Sequence, residues 1–315
     1  MLESIANKFQ RRVDKVGWKG MPEVLGKSAF HRTGFLLKKL YFKSIIQNKT
    51  LARIYPFKHP VILLLGNPRS GTSWTGTVLN RSPKVAYINE PVNLALIHKS
   101  NLTHQINPLG KGKGHTEYKS YANQAFSGIP PILKVVNKLS DFYPFTRSDK
   151  TLLIKEVLLN DAGFFAKMYS PKIIILLRHP AAIADSYYRM GWLQDDEFED
   201  LGYWYGGKMS KALKAVKKGT YTIHFYESLA LNPKKGFSQL FEFMNIDKPV
   251  DFDAIIEEYS ENKNKNSNPH RTRRISENQV YKWKKNLNKK EVEAVKRGYF
   301  RWELEYYQSS EDWEL

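Results

Sequence analysis

Short apolar runs alternate with helix-patterned stretches along most of this chain. Val61–Leu65, Val85–Ile88, Thr151–Ile154, Ile173–Leu177 and Tyr221–Phe225 are unbroken or nearly so. Such runs predict strands buried on both faces, as in a parallel sheet. Between them, Thr72–Leu79, Asp161–Tyr169, Pro180–Arg189 and Lys234–Met244 read as helices. Pro180 sits where a first helical turn tolerates proline, and Ser170-Pro171 ends the helix before it. Strands and helices in alternation imply right-handed crossovers. The expected fold class is therefore α/β: three layers, α/β/α, around a central, mostly parallel sheet. Residues 99–131 break the rhythm with a run from Asn107 to His115 rich in glycine and with Gly128 and Pro130-Pro131. They predict a long loop of the lid or binding type. No internal repeat and no clean boundary divides residues 56–315, which read as one domain behind a basic extension, 1–55.

Composition supports one large folded domain. The 315 residues are 42% hydrophobic and 26% charged, enough apolar material for a sizeable core. There is no cysteine, which excludes disulfides and thiolate zinc sites and fits a reducing compartment. The net charge of +19 predicts attraction for anions: nucleotides, acidic glycans or lipid surfaces. No basic-aromatic RNA motif or zinc finger accompanies it, so nucleic acid is not an expected partner. Residues 1–50 hold eleven Lys or Arg against Glu3, Asp14 and Glu23. Within them, Phe35–Ile46 has the mix of a basic amphipathic helix, suited either to a membrane surface or to packing with its lysines in solvent. The apolar runs are too short to span a bilayer and no secretory leader is evident. The expected location is cytoplasmic, with peripheral contact to the inner membrane face.

The most informative stretch is Val61-Ile-Leu-Leu-Leu-Gly-Asn-Pro-Arg-Ser-Gly-Thr-Ser-Trp74. A strand, a glycine-bounded turn and a helix start place several amide N–H groups and a helix dipole around one anion. Gly66 and Gly71 keep the spacing of a nucleoside-triphosphate loop, but Thr72 stands where that loop carries lysine, and the cation is Arg69 instead. Mg²⁺-ATP is a poor fit. A second anion site is suggested by Arg178, which ends the fourth run where a metal-dependent NTPase commonly places Asp. Its planar fork can bind two phosphate oxygens. Ser186 lies eight residues on, within reach of the same group.

Together these strings resemble the PAPS-dependent sulfotransferases (PAPS is 3′-phosphoadenosine-5′-phosphosulfate). That family's 5′-phosphosulfate loop is matched by Pro68, Arg69, Ser70, Gly71, Thr72, Ser73 and Trp74. Its 3′-phosphate motif is matched by Arg178, Pro180 and Ser186. The resemblance covers roughly residues 60–300. It implies a P-loop-like fold, PAPS as cofactor, no metal, and a hydroxyl-bearing acceptor.

Sulfuryl transfer needs a base for the acceptor hydroxyl and positive charge at the leaving phosphate. Glu90, in Asn-Glu-Pro after the second run, is the candidate base, and Pro91 predicts an extended backbone there. Many carbohydrate sulfotransferases have a similar Glu-Pro pair, which points to a carbohydrate or glycoconjugate acceptor; a lipid or small alcohol is the alternative. Enzymes acting on phenols and steroids use histidine, so His98 and His104 are held in reserve. Arg69 and the Ser70–Ser73 amides would stabilise the leaving group. Lys155 would meet the transition state by likeness to related enzymes, or pair structurally with Glu156. Trp74 and Tyr226 match family positions that lie against adenine, and both equally suit a core. Arg273 and Arg274 sit in a basic segment that, by resemblance, completes the 3′-phosphate site. The acidic run from Asp195 to Asp200 reads as a solvated face. Two rivals belong to other classes: a metal-dependent nucleotide kinase, and a non-enzymatic polyanion- or membrane-binding protein.

Overall fold

A computed structural model describes residues 59–101, 114–136, 141, 150–260 and 277–315. The basic extension, His104 and both Arg273 and Arg274 lie outside the described residues.

Among the described residues, five strands form one sheet, each adjacent pair parallel, in the order β2-β3-β1-β4-β5. They are β1 (Ile62–Gly66), β2 (Val85–Asn89), β3 (Thr151–Glu156), β4 (Lys172–Leu177) and β5 (Tyr221–Phe225). Each expected run became a strand, within two residues at either end. The apolar runs were readable because helices cover both faces. Leu63 and Leu65 of β1 join one core with Ile173 and Ile175 of β4, and Ile62 and Leu64 join the other with Ile174 and Leu176. Alternate residues thus face opposite layers.

Against the second core lie α1 (Thr72–Leu79) and, late in the chain, α7 (Tyr226–Leu231), α8 (Pro233–Met244) and α9 (Phe252–Ser260). Against the first lie α2 (Pro91–Lys99), α3 (His115–Phe126), α4 (Ala162–Tyr169), α5 (Pro180–Arg189), α6 (Phe198–Ala215), α10 (Trp283–Asn286) and α11 (Lys289–Tyr299). This is the expected three-layer α/β/α arrangement.

Two expectations need correction. The segment 99–131 is not a loop throughout, because α3 occupies His115–Phe126. Its buried positions, Tyr118, Tyr121, Ala122, Ala125 and Phe126, follow helical spacing. Glu117 closes a capping box on the Gly114 amide at 2.8 Å. Phe126 then stacks on Tyr169 of α4 at 4.1 Å. Glycine and proline on either side hid this helix. The acidic run is also not wholly solvated, since Glu199 in the first turn of α6 pairs with Arg297 and Arg301.

β1 lies between β3 and β4, so the carboxyl ends of these three strands are adjacent. Ligands in open α/β sheets bind outside such ends. The turn after β1 is flanked by Lys155 and Glu156 at the end of β3 and by Arg178 just past β4.

Candidate active site

The turn after β1 is closed by Ser70. Ser70 returns both its amide and its hydroxyl to the Asn67 carbonyl, at 3.1 and 2.7 Å. Arg69 (φ 72°) and Gly71 (φ 96°) are both left-handed. Neither a side-chain cap nor an acidic residue sits at the start of α1. A helix start of this kind can serve an anion through its first-turn amides and its dipole. At Gly71 a Cβ would come within 2.4 Å of Tyr226 Cδ2, so backbone strain and a clash coincide. Gly71→Ala is expected to lower Tm, by about 2–4 °C per kcal/mol in a domain of this size, and to weaken nucleotide binding in a titration.

The two arginines expected to bind phosphate lie at one place. Arg178 donates to the Arg69 carbonyl at 2.9 Å and to the Gln279 carbonyl at 3.0 Å. Its guanidinium lies 4.4 Å above the Tyr226 ring, and its Nε is a buried donor with no partner among the described residues. Arg69 Nε donates to Ser186 Oγ at 2.8 Å. The two strand-end turns thus meet, Arg178 on the Arg69 carbonyl and Arg69 on the Ser186 hydroxyl. An unused guanidinium N–H and an uncapped helix start fit a nucleotide carrying more than one phosphate.

Glu90 lies at the far side of the same loop. Lys155 Nζ pairs with Glu90 Oε1 and donates to Ser73 Oγ, the latter at 3.1 Å. Asn93 Nδ2 donates to Glu90 Oε2 at 2.8 Å. One buried ammonium therefore links the candidate base to the first turn of α1, and Lys155 pairs with Glu90 rather than Glu156. The backbone at Glu90 is not extended, as Pro91 predicted, but left-handed, at φ 48° and ψ 51°. The Glu90 amide donates to the Lys155 carbonyl at 2.7 Å, and Glu90's own carbonyl accepts from Leu94 as α2 begins. Those two bonds, with Pro91 as first helical residue, override the local preference. A left-handed non-glycine residue costs about 1–3 kcal/mol and recurs at functional sites.

The other candidates divide. Trp74 is 3% exposed, gives its Nε1–H to the Tyr259 carbonyl and meets Tyr226 and Phe237 edge-to-face. Tyr226 is 1% exposed, between Gly71 and Arg178. Both are buried in the second core, and Tyr226 packs between the two arginine turns. His98, in the last turn of α2, is eight residues from Glu90 and meets Lys134 at the surface. At 1.5 Å per residue that is about 12 Å away.

Several site residues carried no usable sequence signal. The Tyr205 hydroxyl clamps the backbone of Arg178, accepting from its amide and donating to its carbonyl. Lys208 reaches Asn67 Oδ1 at 3.4 Å, and burial pushes its ammonium down to about 8 against the pull of Asp161. Glu156 is fully buried with Oε1 on the Val92 amide at 2.7 Å. Burial, then the charge of Glu90, raises its carboxyl from 4.5 to about 8. The folded state therefore holds a proton that the unfolded state gives up, and stability falls as pH rises from about 4.5 to about 8. Glu156→Gln is expected to remove that slope, gaining a few degrees in Tm over the parent at pH 8.5 and little near pH 4.5.

Among solved structures, the sulfotransferase domain of a Synechococcus olefin synthase is 17% identical, with 79% of this chain and 98% of that one aligned and a TM-score of 0.48. The sulfotransferase STF9 of Mycobacterium avium is 13% identical over 84% of this chain and 81% of its own, with a TM-score of 0.47. Mouse sulfotransferase SULT7A1, complexed with PAP, is 16% identical over 85% and 93%, with a TM-score of 0.44. No curated protein matches the chain. The sequence model of the sulfotransferase domain matches residues 59–305, spanning every strand and the two arginine turns described above, and the chain belongs to that family.

Proposed function

We propose that this protein transfers a sulfuryl group from PAPS to an acceptor hydroxyl on a carbohydrate or glycoconjugate, with Glu90 as general base. The supporting observation is Lys155, whose ammonium touches both Glu90 and Ser73. It stands between the proton to be removed and the loop that would hold the leaving group. PAPS, when bound, supplies the sulfuryl group and departs as 3′,5′-adenosine bisphosphate (PAP). Arg178 and Ser186 would hold the 3′-phosphate, and Arg69 with the α1 amides the 5′ end. Glu90 takes the acceptor proton as the acceptor oxygen forms its bond to sulfur. The S–O bond to the 5′-phosphate would break in the same step, leaving its electron pair on the phosphate oxygen. Lys155 and Arg69 then offset the charge that develops there.

The carbohydrate preference rests on the Glu-Pro pair and on a net charge of +19, which favours acidic glycans. Arg178 follows β4 where a metal-dependent NTPase commonly places Asp. EDTA is therefore expected to leave turnover unchanged, and strong inhibition would restore the kinase reading. PAP should raise Tm more than Mg²⁺-ATP at equal concentration. Incubation with labelled PAPS and a panel of glycans, lipids and small alcohols tests the acceptor class. Label confined to the non-carbohydrate acceptors would overturn the glycan reading.

A further inference from the structure

Strand β3 ends in two consecutive charged residues, Lys155 and Glu156, and both are fully buried. Neighbouring residues of a strand face opposite layers. Lys155 points to the α1 side, where it meets Ser73, and Glu156 to the α2 side, where it meets Val92. The register pairs Asn89 of β2 with Lys155 of β3, so the turn holding Glu90 lies across the end of β3.

Val92 is the second residue of α2, and its amide is one of the donors that a helix start leaves without an intrahelical partner. An N-cap side chain normally accepts such a bond. Here the N-cap residue is Glu90, and its side chain makes no cap. Its carboxylate is turned to Lys155 and Asn93 instead. The cap comes from Glu156, sixty-four residues away in sequence.

We propose that Glu156 is a positioning residue for the base: by capping α2 from the end of β3, it holds Glu90 in its left-handed turn with the carboxylate directed at Lys155. The inference rests on the reading of Glu90 as base. Were the Val92 amide unfilled, the carboxylate of the N-cap residue Glu90 could fold back onto it, away from Lys155 and the acceptor. Four titratable groups act electrostatically with Glu156: Glu90, Lys155, Tyr87 and Tyr118. Burial and Glu90 keep it protonated near neutral pH. What the cap requires is therefore an acceptor oxygen, not a charge, and glutamine can replace it.

The test compares Glu156→Gln, Glu156→Ala, Glu90→Gln and the double variant E90Q/E156A in the full chain. It reads kcat and KM for PAPS, Kd for PAP, and hydrogen exchange at the Val92 amide. E156Q is expected within about twofold of the parent in kcat. E156A should lose about tenfold in kcat with KM for PAPS within about twofold, and its Val92 amide should exchange at least tenfold faster. E90Q/E156A should be no slower than E90Q, because Glu156 acts through Glu90. Where the alanine variant does not fold, Glu156→Met fills the volume without an acceptor oxygen and carries the same comparison. The proposal is overturned by parent-like kcat in E156A, by E156Q as impaired as E156A, or by additive losses in the double variant. Near-normal turnover of E90Q would instead remove the base reading itself, a result separate from any of these.

Discussion

Glu90→Gln is expected to cut kcat by about 10²–10⁴-fold while PAP binds within about twofold of its original affinity. The magnitude is that of a positioned general base. Glutamine has the same shape, and its amide oxygen can still face Lys155, so the ammonium keeps its place beside Ser73. The proton acceptor alone is lost. A steady-state assay with labelled PAPS, paired with a PAP titration, separates the possibilities. Low kcat with intact PAP affinity supports Glu90 as base. Low kcat together with much weaker PAP binding would mean that Glu90 serves to hold Lys155 against the loop. Near-normal turnover would leave the acceptor proton to another group. His98 is poorly placed for that, at the opposite end of α2 from the loop.

How much of this was readable before the structure depends on how local each determinant is. The strands were readable because a sheet covered on both faces writes its core as unbroken apolar runs. The end of β3 was not: Lys155 and Glu156 look like a break after Ile154, yet both are buried in the sheet. They close the strand at the carboxyl edge, where the site needs charge rather than core. The two arginine turns were readable because each motif lies within one strand-turn-helix unit. The clamp of Tyr205 on Arg178 and the cap of Glu156 on Val92 join residues 27 and 64 apart, and no local pattern encodes such a pairing. Trp74 and Tyr226 show the reverse. Their motif positions were plain, but whether an aromatic faces a base or a core depends on what packs over it. Here Tyr259, Phe237 and Arg178 do so.

Arg178→Ala should weaken binding of PAP far more than binding of AMP. Charge-assisted hydrogen bonds contribute roughly 1.5–3 kcal/mol each, or about ten- to a hundredfold in Kd. AMP lacks the 3′-phosphate and should lose little. The structure adds a complication that sharpens the experiment. Arg178 also donates to the Arg69 carbonyl and lies on Tyr226, which in turn abuts Gly71. Removing it could loosen the 5′ loop as well, and that loss would fall on both nucleotides alike. The ratio of the two Kd changes therefore separates the roles. A loss at least tenfold larger for PAP assigns Arg178 to the 3′-phosphate. Equal losses would make it a brace for the loop and would leave the 3′-phosphate to other cations. Arg178→Lys refines the reading, because an ammonium keeps the charge but lacks the planar fork that reaches Arg69 and Gln279 together. A 3′-phosphate ligand would be partly restored by that charge, whereas a brace built on two separate carbonyls would not.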